Sequence, residues 1–426
     1  QTNEFTAYFN PAARRKSDGL AKYLAASFAE NKSWDKIFRE MMLPDAADPK
    51  QAGASEFLSS RIKDLNRVTI DVSTRFFGVN VSCAQCHNHP FVESWTQDHF
   101  YGMKSFFART VEATGGVLVE KDFGFVKYVP NKKTEKVSPV MFLTGKSLHV
   151  PGLSEPNADQ KKRDQKRIDD AKKTKKATPP TFSLRAKLVD VALAKEDRGY
   201  FARNIVNRLW YRHMGLGLVM PLDQMHSENP ATHPELLDWL ATDLAEHGYD
   251  LRRLVRGIVL SNTYARSSRQ PEKDAPDEKL FAVARVRPLT PAQMGASLKI
   301  ASIDPATLKD DRIDAVARSG GLENFFPPLT DNFQVGVAEA MLFANNDKLE
   351  KELFNGSDSL AARLAKEPTT AKRAELAVRS VLSRPATPDE IEAIGSYLDR
   401  RTDRSAAAYR QVVWALLATS EFRFNH

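Results

Sequence analysis

Apolar residues recur at helical spacing through most of the 426-residue chain. Leu20, Leu24 and Phe28 share one face of a helix following Ser17, and Trp34, Ile37, Phe38 and Met41 share another that starts after Ser33. A longer helix is expected from about Ser55 to Phe77. Phe57, Leu58, Ile62, Leu65, Val68, Val72 and Phe76 fall at helical intervals there, and Gly78 supplies the stop. Thr96 can cap a short helix containing Phe100, Met103, Phe106 and Phe107.

Between Gly115 and Gly145 the pattern turns β-rich. Val117 to Val119, Phe125 to Val129 and Val140 to Leu143 are separated by Gly, Pro, Asn and Lys, which predicts a small sheet or a pair of hairpins. Pro151 to Pro180 is polar and charged and closes on Thr178-Pro179-Pro180. It reads as a solvated linker or insertion whose middle can form an exposed helix, and a domain boundary is expected there. The remainder is helical and well punctuated. Thr232-x-x-Glu235, Thr290-x-x-Gln293 and Thr387-x-x-Glu390 fit the capping box, the last two with Pro at the first helical position. The expected architecture is therefore mainly α. It comprises a helical domain over 1–114, a small β-rich segment over 115–150, a charged linker or insertion over 151–180, and a helical C-terminal domain over 181–426.

Composition changes this picture in two places. The hydrophobic content of 42% supports a sizeable core, yet no apolar stretch reaches the ~20 residues of a membrane-spanning helix, so no transmembrane segment is expected. The net charge of +8 invites a nucleic-acid reading, but nine basic and four acidic residues fall between Asp159 and Lys176, and that segment accounts for five of the eight surplus charges. Nucleic acid is therefore not an expected partner. The Lys161 to Lys176 segment remains a candidate contact for an acidic partner or extracellular polymer.

Candidate chemistry concentrates in Cys83-Ala84-Gln85-Cys86-His87, which uses both cysteines of the chain. Two thiols spaced by two residues can add to the vinyl groups of a porphyrin while the adjacent imidazole reaches the iron. The expectation is one covalent c-type haem held by Cys83 and Cys86, with His87 as the proximal ligand. A thioredoxin-like dithiol lacks its strand–helix context here, and a zinc site would need His87 and the nearby His89 to share one tetrahedral ion. Met103 is a candidate distal ligand and equally a core-filling residue, and His89 is a candidate haem neighbour. His149, His213 and His233 are remote candidates, and His233 also reads as the residue leading into a helix at Pro234.

From Phe77-Gly78-Val79 through the cysteine motif to His89-Pro90-Phe91, and on through Trp95-Thr96-Gln97-Asp98-His99-Phe100-Tyr101-Gly102, the sequence resembles the planctomycete cytochrome-type domain PSCyt. The second half is similar to its companion domain PSD. That likeness runs through Phe201-Ala202-Arg203-Asn204-Ile205-Val206-Asn207-Arg208-Leu209-Trp210, Gly215 to Val219, Asn229 to Leu240, and Trp414 to His426. The family commonly has Asp where Asn88 stands and an acidic or small residue near His99, and the lysine-rich segment is an elaboration on its pattern. Members usually carry further N-terminal sequence, so a processed or partial chain is expected. The resemblance implies a secreted haem protein, periplasmic or at the cell surface, and supplies no substrate. Three functions follow as expectations. The first is electron transfer with a redox partner protein. The second is a haem-dependent oxidoreductase acting on an extracellular carbohydrate or polymer, with Asp223, His233, Glu235 and Asp238 as polar candidates. The third is a haem-stabilised component of an extracellular assembly.

Overall fold

The computed structural model describes residues 18–90, 92–130, 134–197, 199–269, 276–307, 319–326, 346–354 and 356–425. Ser17, Phe91 and His426 of the sequence reading lie outside them. The described chain is mainly helical, and it divides into two compact units, 1–284 and 285–426.

In the first unit, α1 (Asp18–Ala29) and α2 (Trp34–Met42) bury the faces read from the sequence, with Leu20, Leu24, Trp34, Ile37, Phe38 and Met41 removed from solvent. The helix expected from Ser55 to Phe77 is interrupted, giving α3 (Glu56–Ser59) and α4 (Leu65–Phe77). The break has a local cause. Asp64 takes an extended conformation and its carboxylate accepts from the amides of Asn66 and Arg67, which caps a new helix. Just before it, the buried Arg61 guanidinium donates to the Phe57 carbonyl and, at 2.6 Å, to Asp71. Gly78 ends α4 in the left-handed region at φ 68°, as the sequence predicts.

After α5 (Gln97–Ser105) come three separate antiparallel pairs: β1 (Thr110–Glu112) with β2 (Leu118–Glu120), β3 (Lys127–Tyr128) with β4 (Lys136–Val137), and β5 (Val140–Met141) with β6 (Ser147–Leu148). The charged segment forms α6 (Ala158–Thr174), and this helix is docked onto the fold. Its buried Asp164 accepts from the amides of Asp122 and Phe123, and Arg167 pairs with Asp122 at 2.5 Å. One face therefore holds the β2–β3 connection, while Lys161, Lys162, Lys166, Lys172, Lys173, Lys175 and Lys176 stay exposed.

The expected boundary at 151–180 is not where the compact units part. α7 (Leu184–Leu193), α8 (Gly199–Met214), α9 (Pro234–Glu246) and α10 (Leu251–Val259) complete the first unit. Phe201 of α8 lies 4.9 Å from Phe38 and stacks on Trp34 at 6.1 Å. Phe77 meets Phe142 at 5.2 Å, and Tyr249 meets Phe201 at 5.4 Å. One aromatic core thus joins helices on both sides of the charged segment, and burial of that shared apolar surface overrides the polar composition of the connection. At the start of α7, the buried Glu120 carboxylate accepts from the Ser183 hydroxyl and from the amides of Leu184 and Arg185, as an anion does at a helix N-terminus.

The second unit is built from α11 (Pro291–Ser302), α12 (Asp347–Phe354), α13 (Leu360–Lys366), α14 (Thr370–Leu382), α15 (Pro388–Asp399), α16 (Ser405–Leu417) and α17 (Ser420–Arg423). β7 (Arg287–Pro288) pairs with β8 (Phe424–Asn425). The capping boxes at Thr290/Gln293 and Thr387/Glu390 form as read. The one at Thr232/Glu235 does not. His233 occupies the N-cap position of α9, and the Thr232 amide and hydroxyl both donate to the Leu218 carbonyl.

Candidate functional site

Cys83 and Cys86 are free thiols exposed to solvent on a 3₁₀ turn, Ser82–Gln85, and on the residue that follows it. The turn forms because the Asn80 side chain accepts from the Ser82 amide at 3.1 Å and the Ala84 amide donates to the Val81 carbonyl at 3.0 Å. His87 is exposed beside it. Its Nδ1 lies 2.6 Å from the Asn88 carbonyl, so Nδ1 carries the proton and Nε2 is left to accept or to ligate. Both thiols and an oriented imidazole therefore project from one short exposed segment.

Three structures hold that segment. From α5, Gln97 Nε2 and the Tyr101 hydroxyl both donate to the Gln85 carbonyl, at 3.2 and 3.1 Å. From the motif itself, residues 89–95 close into a loop: the His89 amide donates to the Trp95 carbonyl at 2.8 Å, and the Val92 amide donates to His89 Nδ1 at 3.1 Å. From the chain after α8, Val79 bridges Gln224, the Asn80 amide donates to the Asp223 carbonyl at 2.8 Å, and the Met225 amide donates to the Gly78 carbonyl at 3.0 Å. These last bonds carry His226 onto the motif. Its ring sits 5.8 Å from both His89 and Trp95, while His89 meets Trp95 edge-on at 5.4 Å.

Burial sets the charge state of this cluster. It holds His89, His99 and His226 below the ordinary imidazole range, and for His89 the neighbouring His226 and His87 add to the effect. Next to it, Tyr101 stacks on Tyr128 at 4.0 Å. Burial, then a hydrogen bond to Asp98, pushes the Tyr128 hydroxyl up to about 12.

The remaining sequence candidates lie elsewhere. Met103 is fully buried in the core, whereas Cys83, Cys86 and His87 face solvent, so its place is that of a packing residue. His89 is buried within the ring cluster. His149 is exposed near β6, His213 turns Nδ1 to the Leu209 carbonyl at 2.7 Å, and His233 lies beside Thr232 and Phe281. Asp238 pairs with Arg203 at 2.6 Å, Glu235 is exposed in the first turn of α9, and Asp223 meets the motif through its backbone. Among the described residues no three His, Cys, Asp or Glu side chains gather as a metal-ion cage, which leaves the zinc reading without its ligand set. His226 was missed by sequence reasoning. It carries no spacing signal, and only the fold brings it across more than a hundred residues.

Fold and site define a mainly helical protein that presents an exposed Cys-x-x-Cys-His turn braced by a later part of the same unit. Residues 2–112 match the family model PSCyt2 and residues 184–315 match PSD1, each described as a protein of unknown function (DUF1549 and DUF1553 respectively). In these two regions, and in that order, the chain belongs to the PSCyt2 and PSD1 families. The PSD1 match begins with α7 and passes from the first compact unit into the second, and the ending Trp414 to His426 lies beyond it. No curated protein and no solved structure is detectably similar to the chain.

Proposed function

We propose that this chain is a periplasmic or cell-surface c-type cytochrome-like protein that exchanges single electrons with a partner protein. Cys83 and Cys86 would hold one haem through thioether bonds and His87 would ligate its iron. The observation that carries the reading is the donor set: two exposed thiols on one turn, followed by an imidazole whose Nδ1 is engaged by a carbonyl and whose Nε2 is left for a metal. A bound haem supplies a one-electron iron couple. The protein's part is to present that couple at the surface, where a partner can approach. The surface position of the donors favours electron relay over chemistry on a substrate in a closed pocket, and Asp223, His233, Glu235 and Asp238 do not converge on the motif. Maturation of such a site takes place outside the cytoplasm, which sets the compartment. No described helix is long and apolar enough to cross a membrane.

The exposed lysines of α6 suit an acidic partner, and that association is expected to weaken as salt is raised. The deciding measurement is a pyridine haemochrome spectrum of the protein isolated from an extracytoplasmic compartment. One haem per chain, lost when Cys83 and Cys86 are both replaced by Ser, is the expected result. A chain purified with free thiols and no haem absorbance overturns the reading.

A further inference from the structure

The PSD1 region's own sequence features are spent largely on the PSCyt2 region. The Asn204 side-chain amide donates to the Arg75 carbonyl at 2.7 Å, and Arg208 donates both to Asn204 Oδ1 and to the Thr74 carbonyl at 3.1 Å. Together they satisfy the last turn of α4, immediately before Gly78 and the cysteine turn. Asn207, wholly buried, grips the Val219 backbone from both sides, donating to its carbonyl at 2.9 Å and accepting from its amide at 3.0 Å. Asn229 donates to the carbonyls of Met220 and Gln224. The segment from 218 to 229 is therefore braced at both ends, and its middle, Asp223 to His226, is the part that pairs with Gly78 to Asn80 and closes on His89 and Trp95.

We infer that His226 is a positioning residue for the Cys83–Cys86–His87 turn, so that the chemistry-bearing motif of the PSCyt2 region is completed by the PSD1 region. The ring argues this more directly than the backbone does. His89 and Trp95 hold the loop that follows the cysteines, and each presents a ring to His226 at 5.8 Å. The spacing of Cys83, Cys86 and His87 is thus fixed from outside by a residue distant in sequence. Removing the ring leaves the 89–95 loop packed on one side only, and the turn gains freedom. His226 Nδ1 is buried with no hydrogen-bond partner among the described residues, so the ring's contribution is its packing.

This inference deepens the electron-transfer reading without depending on it, because the two thiols report on the turn with or without haem. In the full chain carrying free thiols, the Cys83–Cys86 thiol–disulfide equilibrium is titrated against glutathione. His226→Ala is expected to shift that equilibrium constant at least fivefold, and His226→Phe, which restores a ring, is expected to bring it back to within twofold. In the haem-loaded full chain the same pair is compared by midpoint potential and by the reduced spectrum, with H226A displaced and H226F close to the parent. Circular dichroism verifies that each variant keeps its helices. Should H226A fail to fold, H226Q, polar and ringless, takes its place. Unchanged thiol equilibrium in folded H226A or H226Q overturns the inference, as does failure of H226F to restore it. Absence of haem from the parent chain overturns the electron-transfer reading alone and leaves the thiol comparison intact.

Discussion

His99 is the third residue of α5, and its Nδ1 accepts from the Thr96 amide at 3.2 Å, so this imidazole does the work that Glu or Gln does in an ordinary capping box. Burial holds it, and His226, neutral in the fold. In the unfolded chain both regain a value near 6.5. As pH falls through that value the unfolded state takes up protons first, so stability is full above pH ~6.5 and declines below it, until the lowered folded values are reached. The thermal midpoint of the chain is expected to drop over that window. His99→Gln keeps the capping acceptor and removes the titration, and its melting curves should show a shallower pH slope; an unchanged slope would mean that His99 is not a source of it. Gly78 makes a second prediction at this scale. It sits at φ 68°, and a Cβ there would come within 2.7 Å of Asn204 Oδ1, the atom that accepts from Arg208. Gly78→Ala should therefore cost more than about 1 kcal/mol in denaturant unfolding, with the loss of a clash-free approach adding to the conformational strain.

The elements with the clearest sequence signals are those whose boundaries are set within one turn. Gly78 stopping α4, Pro291 and Pro388 opening α11 and α15, and the capping boxes before those two helices were all legible because a cap is made by residues three positions apart. Where the same logic fails, a longer-range bond has won. Thr232 is drawn to the Leu218 carbonyl and leaves α9 uncapped by its side chain, and Asp64 starts a helix where apolar spacing alone ran through. α6 is the strongest case. Its lysines predict a solvated segment, and only Asp164, reaching the amides of Asp122 and Phe123, reveals that one face is docked. Replacing Asp164 with Ala leaves two amides without their acceptor and should destabilise the first unit by about 1–3 kcal/mol. Asn207→Ala, which releases the Val219 backbone, should cost a similar ~1–3 kcal/mol and loosen the loop that carries His226. Urea unfolding followed by tryptophan fluorescence measures both, and values within error of the parent would show that these bonds contribute nothing net.

At the scale of the molecule, family regions and compact units do not coincide. α7 to α10 supply Phe201 and Tyr249 to the same core as Trp34, Phe38 and Phe76, and they supply the Asp223–His226 segment to the cysteine turn. A fragment of residues 1–284 is expected to unfold cooperatively. A fragment ending at 180 exposes the apolar surface that α7 and α8 cover and should be aggregated or molten. Calorimetry and gel filtration distinguish the two outcomes, and a well-folded 1–180 fragment would refute the shared core. Sequence by itself determined the mainly α class, most helix faces and starts, and the Cys83–Cys86–His87 donor set, because each rests on spacing within a few residues of chain. Tertiary structure alone decided that 181–284 belongs with the N-terminal helices, that α6 is docked, that Met103 is core, and that His226 closes on the motif. Those outcomes come from burying surfaces that meet only when distant segments pack, and no local spacing encodes which ring will face which.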